Sequence, residues 1–88
     1  MIQIIALEGS WVFVGETSNN GDMIQIRKGA NIRYWGTSRG LGDLASGPTD
    51  STKLDPVPTC EVPREKLVTR YEVDQDKWAA VLNELHND

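Results

Sequence analysis

The chain shows the 3.6-residue period of a helix in one place, its final stretch Asp74–Asp88. There Trp78, Val81, Leu82 and Leu85 fall at i, i+3, i+4 and i+7, with Asp74 or Asp76 in position to cap the first turn. Everything before it reads with the two-residue period of strands or as loop. A lone helix with one apolar stripe has no second helix to bury that stripe against, so it must pack on a sheet. This restricts the chain to a mainly β fold with one C-terminal α-helix.

The strands follow from alternation and turn chemistry. Ile2–Leu7 reads as a first strand, Glu8–Ser10 as a turn, and Trp11–Glu16 as a second strand rich in aromatic and β-branched residues. Thr17–Asp22 reads as a connection around Asn20-Gly21. Met23–Arg27 and Asn31–Trp35 read as two strands flanking a Lys28-Gly29-Ala30 turn. Lys53–Thr59 carries Pro56 and Pro58 and is expected to be extended and irregular. Cys60–Val62 reads as a short or edge strand stopped by Pro63, and Arg64–Lys66 as a turn. Leu67–Val73 is expected to be a central or near-central strand, with Leu67, Thr69, Tyr71 and Val73 on one face. Trp11 and Trp78 are expected in the core, Cys60 as a small buried hydrophobe, and His86 in solvent. The expected architecture is one domain, residues 1–88: a strongly bent or barrel-like antiparallel sheet of five or six strands closed on one side by the helix.

Several function classes are excluded by composition. A chain of 88 residues buries only about 60–65% of its unfolded surface, so the core is modest. Several short edge strands then leave surface to cover, and the chain is expected to form a homo-oligomer. A net charge of −4 argues against duplex nucleic acid. No apolar run is long enough for a membrane helix and no secretory signal is recognisable, so no membrane partner is expected. A single cysteine fits the cytoplasm, and one cysteine with one histidine excludes the usual zinc sites. No nucleophile–base pair stands out, so neither catalysis nor a cofactor is expected.

The remaining chemistry lies in Arg33–Thr52, which holds Gly36, Gly40, Gly42 and Gly47, half of the chain's 8 glycines. It resembles two phosphate-binding patterns and satisfies neither. Gly47-Pro48 stops the helix that both need, and Pro48 stands where the second needs lysine. A more general anion site remains open. Gly and Ser/Thr amides can form a nest, Arg33 and Arg39 can grip a phosphate, and Tyr34 and Trp35 can stack on a base. Met23–Gly42 contains Arg27, Lys28, Arg33 and Arg39 and no acid, which suits a small anion. The candidate ligand-binding residues are therefore Arg33, Tyr34, Trp35, Gly36, Thr37, Ser38, Arg39, Gly40, Gly42, Gly47, Thr49 and Thr52. The alternative is a loop that packs on its own Leu41 and Leu44 and holds no ligand.

The segment Ile32–Pro63 also resembles a family of small, largely uncharacterised phage and mobile-element proteins. Their shared core runs R-x-W-G-T-x-x-G-L-G-x-L-A-x-x-G-P-T-x-x-T-x-L-D. It maps onto Arg33, Trp35, Gly36, Thr37, Gly40, Leu41, Gly42, Leu44, Ala45, Gly47, Pro48, Thr49, Thr52, Leu54 and Asp55. One residue, Ser46, stands between Ala45 and Gly47 where the family core has two. The resemblance implies the cytoplasm of an infected bacterial host and stoichiometric binding to host defence components, and it implies no activity. Two functions are then expected to compete. One is binding of a phosphorylated small molecule, such as a host signalling nucleotide, by the loop. The other is a protein-interaction module that inhibits or adapts a host or phage protein.

Overall fold

One strand, Met23–Tyr34, organises the rest of the chain. In the computed structural model, which describes residues 1–87, the elements are β1 (Ile2–Leu7), β2 (Trp11–Asn20), β3 (Met23–Tyr34), β4 (Lys53–Val57), β5 (Cys60–Pro63), β6 (Leu67–Glu72) and α1 (Gln75–His86). Two 3₁₀ helices, Leu41–Ser46 and Arg64–Lys66, interrupt the connections. All strand pairs are antiparallel, in the order β4-β3-β2-β1-β6. On its side away from β2, β3 carries β5 along its first half, Met23–Ile26, and β4 along its second, Gly29–Tyr34. The sheet is curled but not closed into a barrel. No helix among the described residues is long and apolar enough to cross a membrane.

β3 was expected as two strands around a turn, but it is continuous. Lys28-Gly29-Ala30 makes a β-bulge instead of reversing the chain. The β2 pairing passes from Glu16↔Arg27 to Val14↔Ala30, so Lys28 and Gly29 together oppose Gly15. Lys28 takes a positive φ of 50°. The backbones meet closely here: a Cβ on Gly15 would lie 2.7 Å from Ile26 Cγ2 and 2.8 Å from the Gly29 Cα. An extra residue in one strand inverts the facing of all that follows. Ile24 and Ile26 therefore point to one side of the sheet, whereas Ala30 and Ile32, of the same parity, point to the other.

That inversion lets one sheet feed two cores. On the helix side, Ile2, Ile4, Val12, Val14, Ala30 and Ile32 pack with Leu41, Leu44, Trp78 and Leu82. On the opposite side, Ile5, Leu7, Ile24, Ile26 and Val62 form a smaller cluster, with Phe13, Cys60 and Leu67 partly buried against it. Each member of this second cluster comes from a strand. Among the described residues, no helix residue packs in it.

Several expectations are corrected. β2 runs on to Asn20, so only Gly21-Asp22 turns the chain. Lys53–Val57 is a strand despite Pro56. β4 lies at an edge, where a missing amide costs no ladder bond on the open side. β6 is an edge strand, not a central one. Its pairing passes from Ala6↔Thr69 to Leu7↔Leu67 and leaves Val68 unpaired, so Leu67 turns to the second cluster while Tyr71 and Val73 pack on the first. Trp11 is 58% exposed rather than buried. Cys60 is only partly buried.

The helix packs as its stripe requires. Trp78 and Leu82 are buried, with Val81 and Leu85 partly so. Asp74 is the cap and accepts from the Lys77 amide at 3.0 Å. The Gln75 side chain pairs with the Ile2 backbone in both directions, at 2.8 Å each. At the far end Lys28 Nζ donates to Asn83 Oδ1 at 2.7 Å. His86 is half-buried, not solvated: its Nε2 lies 2.7 Å from the Gly29 carbonyl oxygen. A carbonyl can only accept, so that ring nitrogen carries the proton. The helix is thus tied to the bulge as well as to the sheet.

Two stability outcomes follow. Trp78→Ala empties a fully buried site and is expected to lower stability by about 3–5 kcal/mol in urea unfolding. Gly15→Ala forces a methyl against backbone and is expected to lower it by about 1–3 kcal/mol in the same assay, although alanine is apolar and small.

Candidate functional site

A second β-bulge shapes the region that the sequence singles out. The β3–β4 pairing passes from Ile32↔Leu54 to Tyr34↔Lys53, so Arg33 has no partner across the ladder. Regular alternation would turn every second residue inward. The bulge breaks it, and Arg33, Tyr34 and Trp35 are exposed in succession, Tyr34 at 59% and Trp35 at 41%. Bulges commonly re-aim side chains in this way.

The loop beyond Trp35 is held by its own hydroxyls. Thr52 Oγ1 donates to the Trp35 carbonyl and Thr49 Oγ1 to the Gly36 carbonyl, both at 2.7 Å. Thr52 Oγ1 also accepts from the Thr49 amide at 2.9 Å. Thr37 Oγ1 donates to the Gly40 carbonyl at 2.7 Å. The outgoing and returning legs touch at Gly36, whose φ is +68° and whose Cβ would lie 2.6 Å from the Ser51 carbonyl carbon. Between the legs, the 3₁₀ helix Leu41–Ser46 sinks Leu41 and Leu44 into the first core. Trp78 Nε1 donates to the Leu44 carbonyl at 2.8 Å and roots that helix beneath α1.

The charges are similarly engaged. Arg33 Nε donates to Asp55 Oδ2 at 2.9 Å. Arg39 Nε lies 3.4 Å from Asp43 Oδ1, and the Arg39 amide donates to Asp43 Oδ2 at 3.1 Å. Both arginines expected to meet a phosphate thus face carboxylates of their own chain. The ion pairs are exposed and add little to stability, but each sets a carboxylate against an arginine that a phosphate would need.

The candidate residues separate into groups. Arg33, Tyr34, Trp35, Gly36, Thr37 and Gly40 line one shallow groove of about 350 Å³. Ser38 and Arg39 stand exposed at the loop tip. Gly42 lies inside the 3₁₀ helix, where a Cβ would make only an ordinary 3.7 Å contact with Tyr71. Gly47 ends that helix beside Lys77. Thr49 and Thr52 fasten the loop from behind. The alternative reading, a loop packed on Leu41 and Leu44, describes the loop's interior, and the groove describes its outer surface.

A second surface went unread in the sequence. Leu7, Gly9, Trp11, Phe13, Val62 and Pro63, rimmed by Glu8 and Lys66, line an apolar groove of about 590 Å³ over the second core. Trp11 and Phe13 stack there with ring centroids 6.4 Å apart and planes within 5°. The sign was present in the sequence: Trp11 has the parity of Phe13 and not of Val12 and Val14. Beneath this face, burial pushes the Cys60 thiol above its ordinary pKa, which disfavours the nucleophilic thiolate.

Compared with known proteins, the chain matches no family model and no curated sequence.

Gly36→Ala tests the loop's construction. It places a methyl on backbone at a positive φ and is expected to lower stability by about 1–3 kcal/mol and to shift the Trp35 contribution to fluorescence toward that of a fully solvated indole.

Proposed function

We propose that the protein is a non-enzymatic binding module that recognises another protein through the shelf Arg33–Tyr34–Trp35. The observation that carries this reading is the successive exposure of these three residues on a loop whose own polar groups hold it in shape. Tyrosine, tryptophan and arginine are the residues that most often dominate protein interfaces: the two aromatic rings add large contact area with few torsions to freeze, and the guanidinium adds several directed donors. A loop already fixed by its hydroxyls loses little further entropy on binding. The resemblance of the loop core to small phage and mobile-element proteins favours a partner from the bacterial host or from the phage itself, in the host cytoplasm, with the module acting by stoichiometric inhibition or adaptation.

A second reading has one observation in its favour. The 350 Å³ groove sets Arg33 beside Tyr34 and Trp35, a combination able to hold a phosphorylated planar molecule such as a nucleotide. In that reading Arg33 must exchange Asp55 for the ligand, and the hydroxyls of Thr37, Thr49 and Thr52 contribute little because each already donates to a carbonyl of the loop.

Co-purification from host cells, followed by calorimetry with the purified partner, tests the first reading. Tyr34→Ala and Trp35→Ala are each expected to weaken the complex by about 2 kcal/mol or more. Tyr34→Ala should leave the stability of the free protein within about 0.5 kcal/mol. Thermal shift against nucleotides and cyclic dinucleotides tests the second. A ligand at one hundred times its dissociation constant adds about 2.7 kcal/mol. A shift of that size, lost in Arg33→Ala, would replace the protein-partner reading with the small-ligand one.

A further inference from the structure

We propose that the apolar groove over the second core is a two-fold interface between copies of this chain. The groove and the ring that would fill it belong to one patch: Trp11, 58% exposed, stands at the lip of the hollow formed by Leu7, Phe13, Val62 and Pro63. A two-fold interface requires such self-complementarity, since what one copy offers the other must receive. Trp11 of each copy enters the groove of the other and completes the layer that the second cluster lacks.

Charge favours a second copy over a partner of strong single sign. The rim carries one base and one acid, Lys66 Nζ and Glu8 Oε2, 3.5 Å apart. Across a two-fold axis each can face its opposite, so the contact is neutral although the chain carries −4. The acidic run Glu72, Asp74, Asp76 and Glu84 lies on the end of β6 and on α1, which packs on the other face of the sheet. A standard interface takes about 800 Å² from each partner, roughly 15% of the 5324 Å² surface, so the contact extends beyond the groove onto the surface around Trp11. The inference does not rest on the Arg33–Trp35 shelf, which adjoins the groove across a hollow lined by Leu7, Glu8, Gly9, Arg33 and Trp35.

Sedimentation equilibrium of the full chain from low micromolar to near-millimolar concentration is the test. The expected result is a reversible monomer–dimer equilibrium. Trp11→Glu, with its fold checked by circular dichroism, should raise the dimer dissociation constant by about thirtyfold or more, as loss of a buried aromatic anchor does. Lys66→Glu is a second, milder probe: it sets acids against acids at the rim and should weaken the dimer, and Glu8→Lys combined with it should restore the dimer. Asp76→Asn, exposed on α1 across the sheet, should leave the equilibrium unchanged. A wild-type protein that stays monomeric throughout would overturn the proposal. So would a dimer that neither Trp11→Glu nor Lys66→Glu weakens, since assembly would then run through another surface.

Discussion

The contact between two backbones at Gly15 and Gly29 carries the fold. Only because neither residue has a side chain can Lys28 and Gly29 together oppose Gly15. The bulge that results turns Ile24 and Ile26 to one face and Ala30 and Ile32 to the other. Without it, β3 would present all four to the same side, and one of the two cores would lose its share. The bulge also separates the segment of β3 that holds β5 from the segment that holds β4. α1 reinforces the same point through Lys28–Asn83 and His86–Gly29. Burial of apolar side chains supplies the stabilisation, but the bulge decides which side chains are buried where.

The candidate site depends on a second use of the same device. At Arg33 the break in register exposes three residues in a row. The following loop then bonds to itself through Thr37, Thr49 and Thr52, and anchors through Leu41 and Leu44 to the core that Trp78 closes. A chain of contacts thus runs from the first turn of the helix to the exposed rings. The long central segment is therefore both core and surface: its inward residues complete a small hydrophobic core and its outward residues form the exposed shelf Arg33–Trp35.

Some of this was legible in the sequence, for identifiable reasons. Trp78, Val81, Leu82 and Leu85 declared the helix and its buried face because a 3.6-residue period admits one arrangement. Ile2–Leu7 and Trp11–Glu16 declared themselves as strands by their β-branched and aromatic residues. The bulges did not, because Lys-Gly-Ala serves a turn or a bulge equally well and only the partner strand distinguishes them. Trp11 was misread because alternation shows which residues share a face, not which face is covered. The loop was recognised as special by Arg33, Tyr34, Trp35 and its glycines. Its threonines were read as ligand donors, whereas their bonds close within the loop, a matter of geometry that residue type alone does not determine. Arg33 and Asp55 stand far apart in the chain, so their pairing became visible only when β4 lay beside β3.

The proposed binding role of the shelf rests on its being held in shape before any partner arrives. Backbone ¹⁵N relaxation on the free protein reads that rigidity residue by residue. Order parameters of about 0.85 at Trp35, Gly36, Thr37, Thr49 and Thr52, matching the strands, are the expected result, with a clear drop confined to Ser38 and Arg39 at the tip. Values below about 0.6 across Trp35–Thr37 would contradict the claim, because the hydroxyl bonds would then fail to hold the loop and the three exposed residues would form no fixed surface.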